Sequence, residues 1–299
     1  MDLTVIIPTH NRSELLKRTL QGFCEQDECD FVWQLIVVSD GPSDPTQSVV
    51  REFEKCLPLK YLSQPKLGVS SARNLGLRAT ASPIVIFVDD DVIPSPSLVW
   101  EHARFHKERP ELESALLGYV TWWPEVRITP FMRWYGEFGG LFGFSLLNDD
   151  QLGDPRYLYT CNISFKTEFL RSCGGFNESL TVMEDHELGH RLTRHGLRMY
   201  FRRSAIGYHN QSFTFDQACR RLERYSDGLE EFCSTDAGLA MLERRARLHY
   251  RLADAIAKVA VPMLSPVRPL LDSNIQLPNA IYRLFYMYYG SYRAFWSRR

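Results

Sequence analysis

Residues 84–94 read IVIFVDDDVIP. Four of the first five are β-branched and all five are apolar, which predicts a strand over 84–88 covered on both faces. The run ends in three adjacent carboxylates, Asp89, Asp90 and Asp91, and apolar residues resume at Val92. Like charges held so close repel, and burial adds to that cost. A divalent cation relieves both, and hard oxygen ligands suit Mg or Mn. A solvated acidic turn is the plainer reading, and the apolar runs on either side weigh against it.

The chain before this stretch repeats the pattern. Residues 3–7 form a β-branched run closed by Pro8, and 34–39 form an apolar run ending at Asp40-Gly41. Residues 60–63 make a shorter strand. Between these lie helical periods over 13–23 (Leu15, Leu16, Leu20 and Phe23 on one face), 46–55 and 70–79. Alternating strand and helix predicts an α/β, Rossmann-like fold: a mostly parallel central sheet with helices on both faces. Ligands of such sheets bind outside the carboxyl ends of the strands. Pro8 to Arg12, Asp40-Gly41 and the acidic triplet all fall at such ends.

Further on, 116–122 and 159–166 read as strands, the second followed by a short helix and Gly174-Gly175. The Gly- and Phe-rich stretch 136–145 reads as a mobile loop, or as a tight one packing its Phe side chains. Residues 181–194 read as a helix with a Thr181-x-x-Glu184 capping box, ended by Gly196. Helical spacing continues over about 213–232 and 239–260, prolines at 262, 266 and 269 break the chain, and 281–296 form a last helix dense in aromatics. This divides the chain into a catalytic-type domain over 1–212 and a helical extension over 213–299.

Composition bounds the function. The 299 residues are 44% hydrophobic and 24% charged, ordinary globular values. Net charge is −1, which argues against a nucleic-acid binder. No apolar run is long enough for a membrane span, the start lacks the features of a signal peptide, and a cytoplasmic location is expected. The seven cysteines form no C-x2-C pair, which predicts reduced, mostly buried thiols.

VIIPTHNR (5–12), VVSDG (37–41), GVSSARNLGL (68–77), VIFVDDD (85–91), NISFKTEFLRSCGGFNE (162–178) and MEDHELGHRLTRHG (183–196) follow one another in an order that resembles the inverting family 2 glycosyltransferases of GT-A fold. Each motif alone is weak; six in order are specific, and they cover about residues 3–212. The resemblance implies a donor pocket lined by Pro8, Thr9 and Arg12, with Asp40 accepting a hydrogen bond from the base. It implies that Arg73 faces the nucleotide or its diphosphate; a helix-surface salt bridge is the simpler alternative. Asp89-Asp90-Asp91 matches the family's D-x-D motif, with Asp89 nearer the ribose, Asp91 on the metal and Asp90 sharing either duty. Glu184-Asp185 is similar to the family's acidic pair. Asp185 is then the general base that takes the acceptor hydroxyl's proton, and Glu184 holds acceptor hydroxyls or orients the base. Both also suit a helix's first turn on dipole grounds alone. His209, in GYHNQ, resembles a late histidine that completes a metal or phosphate site, so the implied metal set is Asp91, Asp89 and His209. Asn162, Trp122 and Trp123 are implied sugar or acceptor contacts, with core packing the alternative for the tryptophans, as for Trp134 and Tyr135.

The implied activity is metal-dependent transfer of a sugar from a nucleotide diphosphate, UDP above all, to a hydroxyl of a glycan or lipid-linked saccharide. A sugar nucleotidyltransferase is the competing enzyme, and the absence of Gly from Pro8 to Arg12 counts against its phosphate loop. A non-catalytic relic of the fold is the third reading, opposed by the intact acidic motifs. From Arg244 to Arg299 ten Lys or Arg face two Asp, alongside eight aromatics after residue 281. That balance suits an anionic bilayer surface, and equally a homodimer interface or packing on the catalytic domain.

Overall fold

The structure is a computed structural model, and it describes residues 2–28, 30–41, 45–225 and 228–289. The chain opens with β1 (Leu3–Thr9), α1 (Ser13–Cys24), β2 (Trp33–Asp40), α2 (Thr46–Phe53), β3 (Leu59–Gln64), α3 (Val69–Ala79) and β4 (Ile84–Val88). It continues with β5 (Val92–Pro94), α4 (Leu98–Glu108), β6 (Ser114–Trp122), α5 (Pro130–Glu137), β7 (Asn162–Lys166), α6 (Thr167–Ser172), α7 (Glu184–Arg194) and β8 (Arg198–His209). The closing helices are α8 (Phe215–Tyr225), α9 (Leu229–Cys233), α10 (Asp236–Arg245), α11 (Leu248–Met263) and α12 (Asn279–Tyr286). Two compact units result, Met1–Pro124 with Leu147–Gln211, and Glu125–Leu146 with Ser212–Arg299.

The first unit holds one eight-stranded sheet in the order β3-β2-β1-β4-β7-β6-β8-β5. β3, β2, β1 and β4 are parallel. β7 runs antiparallel to β4 and β6, β8 lies parallel to β6, and β5 pairs antiparallel with β8. Residues 35–38 and 85–88 are fully buried, as are Val5, Ile6 and Ile7. Each large aliphatic side chain buried this way stabilises the fold by about 1.5–3 kcal/mol. The parallel strands deliver their carboxyl ends to one edge, which is where the polar motifs sit.

Among the elements that escape the sequence reading are β5 and α4. β5 is only three residues long. α4 buries Glu101, His102 and His106 among its apolar residues, which blurs its hydrophobic period. The cause is a buried polar network. A ring nitrogen of His102 (Nδ1) and one of His106 (Nε2) each lie 2.8 Å from the Ser164 hydroxyl, and His102 Nε2 lies 2.9 Å from Asn162 Oδ1. The Asn162 amide donates to the Tyr119 and Ala205 carbonyls, at 3.2 and 2.9 Å. Those donations pin an irregularity where Gly118 faces Arg202 and Tyr119 faces Ile206. A side chain at Gly118 would collide with this amide. Asn162 is fully buried, so the expectation that it touches a sugar is corrected: its polar atoms hold the sheet together.

Burial pushes the His102 pKa down to about 4, and that of His106 well below its usual range. The unfolded chain therefore binds protons that the folded chain refuses, and stability falls as pH drops through 6.5 towards 4. Between pH 7 and pH 5, His102 alone costs about 2 kcal/mol by this linkage. Urea unfolding at the two pH values should show that difference shrinking by about this amount in His102→Gln, compared with wild type. An unchanged difference would mean that His102 stays accessible to protons.

α7 begins at Glu184, after Met183 in a left-handed conformation (φ 61°) and without a side-chain cap. The Thr181–Glu184 capping box is thus not formed: Met183 holds the N-cap position and Glu184 is the first helical residue. Gly196 (φ 88°) follows the helix end as expected. The stretch 136–145 is the tight alternative: α5 takes in Gly136 and Glu137, and Phe142 and Phe144 are buried. Cysteine chemistry also differs from expectation. Cys24 and Cys56 are joined as a disulfide with Cα atoms 6.0 Å apart, since α1 and α2 pack side by side. Cys161, Cys173, Cys219 and Cys233 are in no disulfide among the described residues, and Cys29 lies outside them.

The second unit is helical with an aromatic core. Tyr282 stacks on Trp134 at 5.8 Å between ring centres, Phe131 on Tyr135 at 5.3 Å, and Phe285 meets Phe215 edge-on. Trp134, Tyr135, Tyr282 and Phe285 are buried here, so these aromatics form a core rather than a sugar platform or a lipid-facing surface. The stretch expected as one helix over 213–232 is split into α8 and α9. α11 keeps Pro262 within its last turn. Of the expected last helix, Tyr292, Arg293, Phe295 and Trp296 lie outside the described residues, as do Arg298 and Arg299. Among the described residues no helix is long and apolar enough to cross a membrane.

Candidate active site

Four segments meet at the carboxyl ends of β1, β2 and β4. After β1 the chain turns sharply at Asn11 (φ 52°) and presents Arg12. The guanidinium of Arg12 spans the acidic triplet: it lies 2.8 Å from Asp90 Oδ1 and is also paired with Asp91. Asp90 turns inward, where the Thr9 hydroxyl donates to it at 2.7 Å, and it is nearly fully buried. Burial pushes the Asp90 carboxyl up to about 7, against the pull of Arg12. Asp91 faces the end of β8: Gln211 donates to its Oδ2 at 2.7 Å, and His209 Nε2 lies 3.9 Å from the same oxygen. Pro8 is buried within β1.

Asp40 closes β2. Gln64 Nε2 and the Leu67 N–H donate to its Oδ1, both at 2.8 Å, and the Gly68 N–H donates to Oδ2 at 2.9 Å. Gly68 can turn this N–H inward because it adopts φ 99°, open to glycine. A carboxylate offers about four acceptor positions, so Asp40 has one left. His10 supports the same corner through Nδ1, 2.6 Å from the Asp40 carbonyl.

Arg73, on α3, joins the two acidic motifs. Its Nη2 lies 3.1 Å from Asp89, and its Nη1 lies 3.0 Å from Glu184 and 3.9 Å from Asp185. One guanidinium thus gathers carboxylates from residues 89, 184 and 185. It is 3% exposed. Burial works against its charge, and Asp89, Asp185 and Glu184 more than offset that and raise its pKa. Of the two readings of Arg73, the structure shows a salt bridge, buried between motifs rather than lying on a helix surface.

Asp185 is held from its other side by Thr160, whose N–H donates at 3.1 Å and whose hydroxyl donates at 2.7 Å. Its pKa is pushed up to about 7, chiefly by burial and then by Glu184, with Arg73 and Thr160 opposing. A carboxyl near neutrality in the first turn of α7 is suited to accept a proton at physiological pH.

The predicted residues thus assemble in two groups. Asp90 and Asp91 meet Arg12, Thr9 and His209; Asp89 meets Arg73, Glu184 and Asp185. Among the described residues, no three His, Cys, Asp or Glu converge as a metal-holding group. In this structure the Asp89 carboxylate is paired with Arg73 rather than placed with Asp91 and His209. Trp122 is also corrected: it is buried, with its ring edge-on to His209 at 5.6 Å. Trp123 is partly exposed and packs on Tyr208. Sequence reasoning missed Thr160 and Gln64, which carry no motif, and Gln211, which sits two residues beyond His209.

Comparison with known proteins follows this geometry. A profile described as Glycosyl transferase family 2 matches residues 4–122, and one described as Glycosyl transferase family group 2 matches 84–297. Validoxylamine A glucosyltransferase of Streptomyces hygroscopicus subsp. limoneus is 31% identical over 69% of this chain and 51% of its own length. Chondroitin synthase of Escherichia coli is 29% identical over 70% of this chain and 34% of its own. The chain spans about half the length of the first of these curated relatives and a third of the second. The fold is that of GT-A structures. The mannosyltransferase PcManGT of Pyrobaculum calidifontis, solved with GDP-Man and Mn2+, aligns with TM-score 0.64 at 18% identity, over 100% of this chain and 88% of that one. S. aureus TarS 1-349, solved in complex with UDP, gives 0.58 at 18% identity, over 98% and 91%.

Proposed function

Because this chain belongs to the family 2 glycosyltransferases, we propose that it transfers a sugar, with inversion, from a nucleotide diphosphate to a hydroxyl of a saccharide or lipid-linked saccharide. The observation that carries this reading is the Arg73 bridge, which sets the end of β4 beside the start of α7. The acceptor hydroxyl gives its proton to Asp185 as its oxygen attacks the anomeric carbon. The bond from that carbon to the diphosphate oxygen breaks on the opposite face, and the nucleotide diphosphate leaves.

UDP is the donor nucleotide we favour. The single acceptor position left on Asp40 matches the one imide N–H of uracil, whereas guanine offers two adjacent donors. A divalent cation fits the Asp91–His209 pair, an oxygen and an imidazole nitrogen 3.9 Å apart. Two protein ligands completed by substrate oxygens and water is the usual arrangement for Mg with phosphates, and Mn accepts the imidazole as well. Such a cation supplies charge neutralisation to the departing diphosphate. Arg12 shares Asp91 and supplies positive charge of its own. Trp123 is the aromatic face left for an acceptor sugar.

A thermal-shift panel of nucleotides and nucleotide sugars, with and without Mn, tests this. A ligand at a hundred times its Kd stabilises by about 2.7 kcal/mol, several degrees in Tm for a chain of this size. UDP compounds should raise Tm with Mn, and Asp91→Asn should lose the Mn-dependent part. A panel that shifts only with guanine nucleotides would overturn the base assignment, and a shift indifferent to Mn would overturn the cation.

A further inference from the structure

α11 presents an apolar stripe that nothing in the glycosyl-transfer reading uses. Leu252, Ile256, Val259 and Met263 recur at steps of four, three and four, so they share one face of the helix. Their exposures are 53%, 61%, 65% and 77%, while Ala257 and Val261 are the buried residues on the opposite face. Four large apolar side chains in one exposed row are unusual, since most apolar side chains at a protein surface are scattered singly. The exposed turn after α11 continues the character with Pro266.

Basic residues outnumber acidic ones along this stretch. Arg247 and Arg251 are exposed at the start of the helix, and Lys258 is exposed about a third of a turn away from the stripe. Arg268 is exposed just beyond the helix, close to Asp216. From Arg244 to Leu270 the sequence carries six Lys or Arg and one acidic residue, Asp254. Long cationic side chains beside an apolar row can lie along it and keep their charge among lipid headgroups. The row is too short to span a bilayer and offers only a few hundred Å². A standard protein interface needs about 800 Å² from each partner, so a second copy of the chain is the poorer fit.

We infer that α11 is a membrane-contact helix, lying in the plane of an anionic bilayer with Leu252, Ile256, Val259 and Met263 among the upper acyl carbons and Arg247 and Arg251 at the phosphates. Apolar insertion and electrostatic attraction together set the strength of such contacts. The surface is independent of the site chemistry above, and it differs from the aromatic α12, whose Tyr282 and Phe285 are buried.

Co-sedimentation of the full chain with phosphatidylcholine vesicles, pure or with half phosphatidylglycerol, tests this. Wild type should pellet with the mixed vesicles, pellet several-fold less with pure phosphatidylcholine, and be released by 0.5 M salt, following charge screening on the order of the Debye length. Ile256→Ser/Val259→Ser should weaken partitioning at least tenfold with no fall in Tm, because both side chains are exposed. Arg251→Glu should weaken binding to the anionic vesicles only. Equal pelleting of wild type and the double variant would overturn the proposal. So would a wild type that ignores anionic vesicles and elutes as a dimer that Ile256→Ser/Val259→Ser converts to monomer, which would assign the stripe to a second copy.

Discussion

Asp185→Asn should lower kcat by about 10³-fold, within the 10²–10⁴ that a positioned base contributes, while donor affinity stays within about threefold. The asparagine keeps the volume of the side chain and one acceptor oxygen for Thr160, so the cleft is preserved and only proton acceptance is lost. The pH profile makes the assignment sharper. Asp185 acts as a base only when ionised, and its pKa in the folded chain is about 7. Wild-type kcat/KM should therefore rise about tenfold per pH unit below 7 and level off above it, and the Asn variant should lose that limb. The stability sign runs the other way. A carboxyl whose pKa rises on folding costs stability once pH exceeds its unfolded value, so removing the charge should not lower Tm. Loss of turnover together with loss of Tm would point to a structural role for Asp185.

Arg73→Met should cost about 3–5 kcal/mol of unfolding free energy, the range for removing one partner of a buried ion pair. Methionine fills the hydrocarbon volume but leaves Asp89, Glu184 and Asp185 facing one another without a counter-charge. The defect should shrink as pH falls from 7 to 5 and Asp185, its pKa pushed up to about 7 chiefly by burial, takes up a proton, which a packing defect would not do. Arg78→Met is the control. Arg78 sits on the same helix, 62% exposed and paired with Glu178, and an exposed pair is worth about 1 kcal/mol or less. Urea unfolding of the two variants side by side decides whether Arg73 is the junction of the two acidic motifs. A cost under about 1 kcal/mol for Arg73→Met would remove it from that position.

The half of the sheet built from parallel strands is legible in the sequence because its strands are short, apolar throughout and stopped by polar turns. Residues 84–88 were read to the residue. The later half is harder. β5 has three residues, and α4 hides its inward face behind histidines whose partners, Ser164 and Asn162, are about sixty positions away. The same long-range network defeats the reading of Asn162 as a sugar contact, since a buried amide and a ligand-facing one look alike in sequence. Stretch 136–145 shows the converse: its glycines suggest freedom, yet a side chain at Gly140 would collide with Tyr135, and Phe142 and Phe144 are buried.

At the site, the motifs locate the residues and leave their pairings open. Asp89, Asp90 and Asp91 are contiguous, yet Asp89 turns to Arg73, Asp90 to Thr9, and Asp91 to Gln211 and the His209 side. Asp90 and Asp91 lie in a turn closed by the Val92 N–H on the Asp89 carbonyl at 3.1 Å, and that turn sends the three side chains apart. Thr160 could not be found in advance because a threonine before a strand has no distinguishing pattern. The basic and aromatic end of the chain stands out in the sequence, whereas the exposed apolar row lies on α11, and its four-three-four spacing marks a surface face only once burial is known.

A crystal structure of the full chain grown with UDP and Mn is the most direct test of the central claim. The account predicts uracil N3–H against Asp40, the diphosphate beside Asp91 and His209, and the Asp185 carboxylate across an open space on the side away from the diphosphate. A nucleotide bound elsewhere on the chain, or a diphosphate seated directly on Asp185 with no room for an acceptor, would contradict it.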